Sequence, residues 1–489
     1  MIGKIAGTVA DAILGALGEL LPTTADAFQE LEQRLTSVAQ ATIVAPTVHA
    51  VLVALHRSEH FVLACLDQAR AARGITPHSK QEVKLRLLCG ATIAVRSTYS
   101  TVVREKRPGR RRGVGRHGPE GRGSYPVLAQ LGIVEHASPA LHSDVARTSA
   151  AVGSFAEAQD MLAQRGVPLH VNAVRLLAQR FADAGIVDRD EEIIPAPGTG
   201  PLAGKRVVIA IDGGRLRVRQ EKRGRPRRSG HRGYEAIWRE PKLLAVYTVN
   251  ERGKKDGEFV FYEATLQPYN EAAVLFTRWL RRFGIADARE VLFAADGSEH
   301  VWDRVPLIQT ALGLDPTRVR YLVDFWHAVE HAFAASKLVP KLTPYEASLR
   351  ARLWKKWLRE GRALDVSSDI EVAAAIARGE ARDLLTNHAA YFRTNAERMR
   401  YPDLRAAHLP TGTGVVESAI RRVVNLRLKG NGIFWEEENA ERMLLLRSRL
   451  KAGRWKELES AVHRHASGLQ AGALAQARLR AARLREEAA

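Results

Sequence analysis

The chain has 489 residues, 46% of them hydrophobic, and a formal net charge of +20. That hydrophobic share excludes a chiefly disordered protein, and the length requires more than one core. Two cysteines, Cys65 and Cys89, exclude a cysteine-rich zinc module or disulfide scaffold and fit a reducing cytosol, while the charge points to a polyanionic partner, nucleic acid first. At the start, MIGKIAGTVADAILGALGELL repeats Ile5, Val9, Ile13 and Leu17 with a helical period, and Asp11 and Glu19 interrupt its apolar character. This predicts an amphipathic helix rather than a signal peptide. No other stretch is long and apolar enough to span a bilayer.

Residues 1–80 read as a helical region, and 81–185 as a small sheet, a basic loop and a helix-turn-helix. The alternation in VKLRLLCGATIAVRSTYSTVV, residues 83–103, predicts the sheet. The loop that follows carries Arg110, Arg111 and Arg112 among other cations and glycines. It is a solvated loop, an arm along a DNA backbone, or both. In 154–184, Ser154 and Glu157 have the spacing of a capping box, and RGVPLH supplies a turn. The second helix places Val171, Val174, Leu177, Ala178 and Phe181 on one face and Asn172, Arg175 and Gln179 on another. The polar face has the spacing to address base edges.

Residues 186–205, acidic and then rich in Pro and Gly, read as a linker. Beyond it, VVIAIDGGRLRVR, KLLAVYTVN and EFVFYEATL predict three paired strands. The helical NEAAVLFTRWLRRFG follows, then two buried strands, VLFAAD and VRYLVDFW. Three paired strands and then alternating helices and strands is the order of an RNase H-like fold. Residues 327–410 read as helical, with Trp354, Trp357, Tyr391 and Phe392 in the core. From Gly414 to the end the reading is helix nearly throughout, with 453–489 a charged helical tail.

Three acids stand where such a fold presents carboxylates. Asp212 and Asp296 end apolar strands, and Glu417 opens the helix GVVESAIRRVVNLRLKG. Two Mg²⁺ ions about 3.5–4 Å apart serve both oxygens of an in-line phosphodiester displacement. Three carboxylates can hold such a pair if Asp212 bridges. Each acid also has a plain reading. Asp212-Gly213 and Asp296-Gly297 have the composition of turns, and Glu417 suits a helix N-terminus. On the Glu417 helix, Val416, Ile420, Val423, Val424 and Arg427 are expected inward, and Glu417, Arg421 and Asn425 recur as one stripe. A competing motif, His327-Ala-Val-Glu330-His331, matches the inverted zinc-peptidase pattern, with Glu371 or Glu380 available as a third ligand.

PTGTGVVESAIRRVVNLRLKGNGIFWEEENAERMLLLRS, from Pro410, resembles the C-terminal catalytic segment of DDE transposases of the ISKra4 type, distantly similar to the Mutator and IS256 groups. ADGSEHVWDRV resembles their second-acid motif and VDFWHAVEH their D-x-x-H motif. RLLCGATIAVRSTYS, SYPVLAQLGIVEHASPAL and SFAEAQDMLAQRGVPL follow the family's N-terminal order. The resemblance covers roughly residues 85–455 and implies Asp212, Asp296 and Glu417 as catalytic and metal-holding acids, with Asp324 and His327 in support. One departure is the basic stretch after the first acid, with Arg215, Arg217, Arg219, Arg223, Arg225, Arg227 and Arg228. It reads as a DNA-gripping hairpin. Another is an Arg/Gly-rich segment where the family often has a cysteine-bearing turn, so no zinc is expected there.

The expectation is a multidomain α/β protein. An RNase H-like core over 206–326 and 411–452, with an all-helical insertion at 327–410, follows a mainly helical N-terminal region. The resemblance implies a transposase that uses two Mg²⁺ ions, or Mn²⁺ in their place, to cut and join double-stranded DNA at element ends and target. It also implies a homodimer or larger on DNA, in the bacterial cytoplasm at the nucleoid. The rivals are a domesticated, catalytically inactive DNA-binding protein and a zinc peptidase built on His327, Glu330 and His331.

Overall fold

The computed structural model describes residues 39–102, 123–221 and 233–465. The expected N-terminal amphipathic helix, the basic loop with Arg110, Arg111 and Arg112, the ribbon cations Arg223, Arg225, Arg227 and Arg228, and the far C-terminal tail lie outside the described residues. The protein is mixed α/β, with helix outweighing strand. It divides into two compact units, Met1–Ala184 with Glu459–Ala489, and Gly185–Leu458. Among the described residues no helix is long and apolar enough to cross a membrane.

In the first unit, helices α1 (Ala45–Arg57) and α2 (Glu59–Arg73) break at Ser58, whose extended backbone and hydroxyl cap α2. The sheet β1 (Ile75–Arg86), β2 (Thr92–Val102) and β3 (Gly123–Ser124) is antiparallel throughout. Its first strand starts well before residue 81, the expected boundary. Thr76, Pro77, His78, Ser79 and Lys80 carry no apolar alternation, because this end of an edge strand is mostly solvent-facing. An edge also tolerates Pro77, beside which the register shifts. Leu52, Val83, Leu85, Val95, Leu128 and Ile133 form a core between helix and sheet.

A second core joins α3 (Pro139–Ala151), α4 (Phe155–Gln164) and α5 (Val171–Asp190) through Leu141, Val145, Leu162, Val174 and Leu177. Ser154 accepts from the Glu157 N–H at 3.0 Å. The Glu157 carboxylate accepts from Gly153, one residue before the cap, rather than closing the expected box on Ser154. On α5, Val174, Leu177, Ala178 and Phe181 are buried, and Asn172 and Arg175 are exposed. This helix continues to Asp190, past the expected start of the linker. The charges of 188–190 read as solvated in sequence, yet Arg189 is buried and meets Glu441 at 2.7 Å.

The second unit is built on a five-stranded sheet of order β10-β9-β4-β7-β8. β4 (Arg206–Gly213) is central, buried from Arg206 to Ile211, so its sequence is a continuous apolar run. β9 (Glu290–Ala295) and β10 (Val319–Val323) run parallel to it on one side. β7 (Lys242–Val249) and β8 (Lys255–Thr265) run antiparallel on the other. VVIAIDGGRLRVR is not one strand. The β4–β7 ladder closes at Gly213↔Lys242, and Pro241 has no N–H to extend it. The chain therefore leaves the sheet at Gly214, whose N–H meets the Pro241 carbonyl at 2.9 Å. It forms a separate ribbon of β5 (Leu216–Glu221) and β6 (Tyr234–Arg239).

Helix α6 (Tyr269–Arg282) adds Trp279, which packs with Phe261 and Phe283, and Phe283 packs in turn with Phe259. After β10 come α7 (Phe325–Ser336), α8 (Pro344–Arg359), α9 (Ala363–Ile376) and α10 (Glu380–Asn395), with Trp354 and Phe392 fully buried. Trp357 and Tyr391, also expected in this core, are half-buried. The segment from Gly414 is not continuous helix. Helix α11 (Gly414–Ile420) opens into a π-turn at Arg421–Asn425, Gly430 and Gly432 interrupt the chain, and α12 (Glu437–Lys451) follows. Asn425 is half-buried while Glu417 and Arg421 are exposed, so the expected stripe ends at the widened turn.

Glu263 on β8 is fully buried and meets Arg449 of α12 at 2.6 Å. Burial, and after it the charge of Arg189, pulls Arg449 below its usual range, and Glu263 opposes that. For Arg189, burial also pulls down, but Glu441, Glu263 and Asp190 outweigh it and hold the guanidinium above its ordinary value. Removing one partner of a buried pair typically costs about 3–5 kcal/mol. Glu263→Ala is therefore expected to lower the melting temperature by roughly 10 °C, read by calorimetry. A shift under about 2 °C would show the network to be dispensable.

Candidate functional site

The register of the parallel strands sets the site. Ala210 lies opposite Ala294, and Ala294 opposite Leu322. Continued two residues, the same register aligns Asp212, Asp296 and Asp324 in one row at the carboxyl ends of three neighbouring strands. Open sheets of parallel strands bind ligands at this end.

The turn readings separate here. Neither Gly213 nor Gly214 has positive φ, so Asp212 is not in a type I′ hairpin turn. Asp212 Oδ1 accepts from the Gly213 N–H at 2.7 Å. Asp296 does begin a turn, with Oδ1 accepting from Ser298 at 2.9 Å and Gly297 at φ +97°. A Cβ on Gly297 would lie 2.6 Å from the ring of Tyr391. Glycine there lets Tyr391 approach and donate its hydroxyl to the Asp296 carbonyl at 3.1 Å.

Asp324 caps α7, accepting from the His327 N–H at 2.8 Å through Oδ1. Its Oδ2 accepts from both the N–H and the hydroxyl of Thr413. It is 2% exposed, and both oxygens are committed to holding chain. Thr413 precedes α11, which packs on β4 and β7 and carries Glu417 in its first turn. The Thr413 hydroxyl lies 3.4 Å from Glu417 Oε1.

Of the three expected acids, Asp212 feels the other two. The Asp212 carboxyl is pushed up from its ordinary 3.8 to about 6. Burial is the main cause, the Gly213 N–H opposes it, the charges of Asp296 and Glu417 add to it, and His327 pulls it down. Among the described residues the three carboxylates do not form a group whose ligand atoms all lie within 4.8 Å of one another. Carboxylate oxygens are donors of the kind hard divalent cations take, here set wider apart than a close three-ligand group.

Tyr391, Thr413, Tyr269 and Lys242 complete the surroundings and carry no sequence signal, because each arrives from a distant segment. Tyr269 donates to Glu240 at 3.2 Å, and the Lys242 ammonium lies 4.8 Å over its ring. Burial, then Glu240, Asp296 and Asp212, keep that phenol protonated. Burial holds Lys242 below its ordinary value.

The histidines of the H-x-x-E-H pattern go elsewhere. His331 stacks on Tyr391 at 3.8 Å and 3°, and its Nδ1 lies 3.1 Å from Nδ1 of His388. Burial, with His327 and His388, lowers its pKa to about 4. Glu330 is exposed 3.8 Å from His327, Glu371 pairs with Arg393, and Glu380 is exposed in the first turn of α10. Among the described residues no three-ligand group forms around His327 and His331.

Of the expected DNA contacts, Asn172, Arg175, Arg215, Arg219 and Arg421 are exposed. Gln179 and Arg217 are half-buried, and Arg217 bonds the Gly430 carbonyl. In comparisons with known proteins, no family model matches the chain and no curated protein does.

Asp212 provides a test that needs no ligand. A carboxyl raised in the folded state keeps its proton where the unfolded chain has lost it. Its destabilising effect grows as pH rises from about 4 to about 6 and is constant above. Asp212→Asn is expected to stabilise the protein at pH 8 by on the order of 2 kcal/mol and to change little at pH 4. Equal melting temperatures at pH 8 for variant and parent would refute the buried-charge account.

Proposed function

We propose that this chain is a DDE transposase of the ISKra4 type that binds the ends of its element, cuts DNA and joins a 3′-OH to a target. The observation that carries the reading is the convergence of Asp212, Asp296 and Glu417, from two strand ends and one helix, on a site where the charges of Asp296 and Glu417 act on the Asp212 carboxyl. The finer fold reading is an RNase H-like core. Its support is a central β4 with two antiparallel strands on one side and two parallel strands on the other. The α4–α5 pair, with Asn172 and Arg175 exposed, supports a helix-turn-helix reading.

Asp212, shared, with Asp296 and Glu417 would hold two Mg²⁺ ions, or Mn²⁺. When bound, such a pair supplies Lewis-acid activation of the attacking oxygen and stabilisation of the leaving one. The chain's own residues position the site. Tyr391 fixes the backbone at Asp296, Asp324 and Thr413 fix the start of the Glu417 helix, and Arg421, exposed one turn on, is free to meet phosphate. In cleavage, water attacks phosphorus and the 3′-oxygen leaves as a hydroxyl. In joining, that hydroxyl attacks a target phosphodiester and the target's own 3′-oxygen leaves. Work on paired ends calls for at least a homodimer on double-stranded DNA, in the cytoplasm at the nucleoid.

The test uses duplexes drawn from the DNA flanking the coding frame. Asp212→Asn, Asp296→Asn and Glu417→Gln should each lower Mg²⁺-dependent cleavage by on the order of a thousandfold, with DNA binding within about twofold. Mg²⁺ should raise the melting temperature of the parent and not of Asp212→Asn. Full cleavage by any variant removes that acid from the mechanism. Specific binding without cleavage by the parent would favour a DNA-binding protein that has lost transposition.

A further inference from the structure

We infer that the open face of the β5–β6 ribbon is a stacking platform for unpaired DNA bases. Arg217 pairs across the ribbon with Trp238, Arg219 with Ala236, and Glu221 with Tyr234. Directly opposed residues project to one face, so two arginines and two aromatics share it. The opposite face is anchored, with Leu216 and Val218 buried. Trp435 extends the ribbon beside β5, accepting from the Arg219 N–H at 2.7 Å and donating to the Arg217 carbonyl at 3.0 Å. This brings in Phe434. The Arg217 guanidinium lies 4.6 Å from the Phe434 ring and 5.6 Å from that of Trp238, and Arg219 lies 4.8 Å from that of Tyr234.

Trp238 is 57% exposed and Tyr234 45%. Large aromatics left open beside guanidinium planes are costly to solvate and serve little in the fold, since the ribbon is held by its other face. Among the described residues neither Arg217 nor Arg219 has a carboxylate within ion-pair distance, and Glu221 is the one acid on the face. The occupant must combine negative charge with flat rings. Nucleic acid does, and only unpaired bases offer free ring faces, because those of a duplex are covered by their neighbours. The position fits the chemistry. Leu216 follows Asp212 by four residues, a reach of at most about 14 Å. The platform thus receives bases displaced next to the bond being cut. DNA as the polyanion rests on the transposase reading, whereas the preference for unpaired bases rests on the ribbon itself.

The experiment measures binding of the full chain in EDTA, by fluorescence anisotropy, to a labelled single strand and to the blunt duplex of the same sequence. Parent, Trp238→Ala, Tyr234→Ala and the double variant are compared, with melting curves to confirm that these exposed changes leave the fold intact. Each single change should weaken single-strand binding about tenfold. The double change should compound the loss, duplex affinity staying within about twofold and the salt dependence unchanged, because no cation is removed. Trp238→Phe should retain most of the affinity. Equal losses on both DNAs, or none on the single strand, would overturn the platform, and duplex binding kept in the latter case would leave the transposase reading standing. Unchanged DNA binding together with lost self-association would also overturn it, by giving the face to a second copy. A parent that binds neither DNA would sink the transposase reading and the platform with it.

Discussion

The buried carboxylate of Asp324 is the constraint on which the second unit's site depends. A charge removed from water is tolerated only when its oxygens are fully satisfied. Here they accept the His327 N–H and both donors of Thr413. The backbone beside it is tied as well, with the Asp324 N–H on the Ala295 carbonyl and the Phe325 N–H on that of Thr411. Asp324 thus fixes the end of β10 against β9 through its backbone, and the start of α7 and the approach to α11 through its side chain. The segments that carry Asp296 and Glu417 are far apart in sequence, and all the helices from α7 to α10 lie between them. Without this clamp the chain would leave the sheet at β10 with no tie between its exit and its return.

The return is held from a second side. The π-turn at Arg421–Asn425 is closed by i→i+5 bonds and disturbs the carbonyl pattern one turn beyond Glu417. Arg447 of α12 serves those carbonyls, donating to Val423 at 2.6 Å and to Arg422. Burial, and then the charge of Arg427, lower its pKa to about 10, still protonated at neutral pH. Helix α12 is itself fixed to β8 by Arg449 and Glu263, and by Glu441, which accepts from the Leu266 N–H at 2.7 Å. Rigidity therefore passes from the far edge strand through a buried ionic network to the helix that carries the third acid. The metal-holding role proposed for Glu417 requires this kind of support, because its own side chain is exposed.

Much of this frame was legible because its signals are local. Asp212 and Asp296 end uninterrupted apolar runs, and such runs in this order become the buried parallel strands of the sheet. The break at Gly214 was harder to read, although Pro241 announces it. A missing N–H matters only once the partner strand is known. The extension of α5 to Asp190 was hidden because charged residues read as solvated, and their partners, Glu441 and Glu263, are remote in sequence. Tyr391 and Thr413 were invisible for the same reason. A tyrosine in a helical segment carries no mark of the carbonyl it will meet across the fold.

The H-x-x-E-H pattern shows how one spacing can serve packing as well as ligation. Spacing of four residues does put His327 and His331 on one face of α7. That face meets α10, where His331 lies flat on Tyr391 and its ring nitrogen meets His388. Two imidazoles in such contact cannot both be charged, so the pair stays neutral near physiological pH, and a neutral ring packs well against a phenol. Tyr391 in turn reaches the Asp296 carbonyl. Histidine spacing that fits a zinc ligand pair thus serves here as packing behind one of the three acids, and His327, nearer the site, lowers the proton affinity of Asp212.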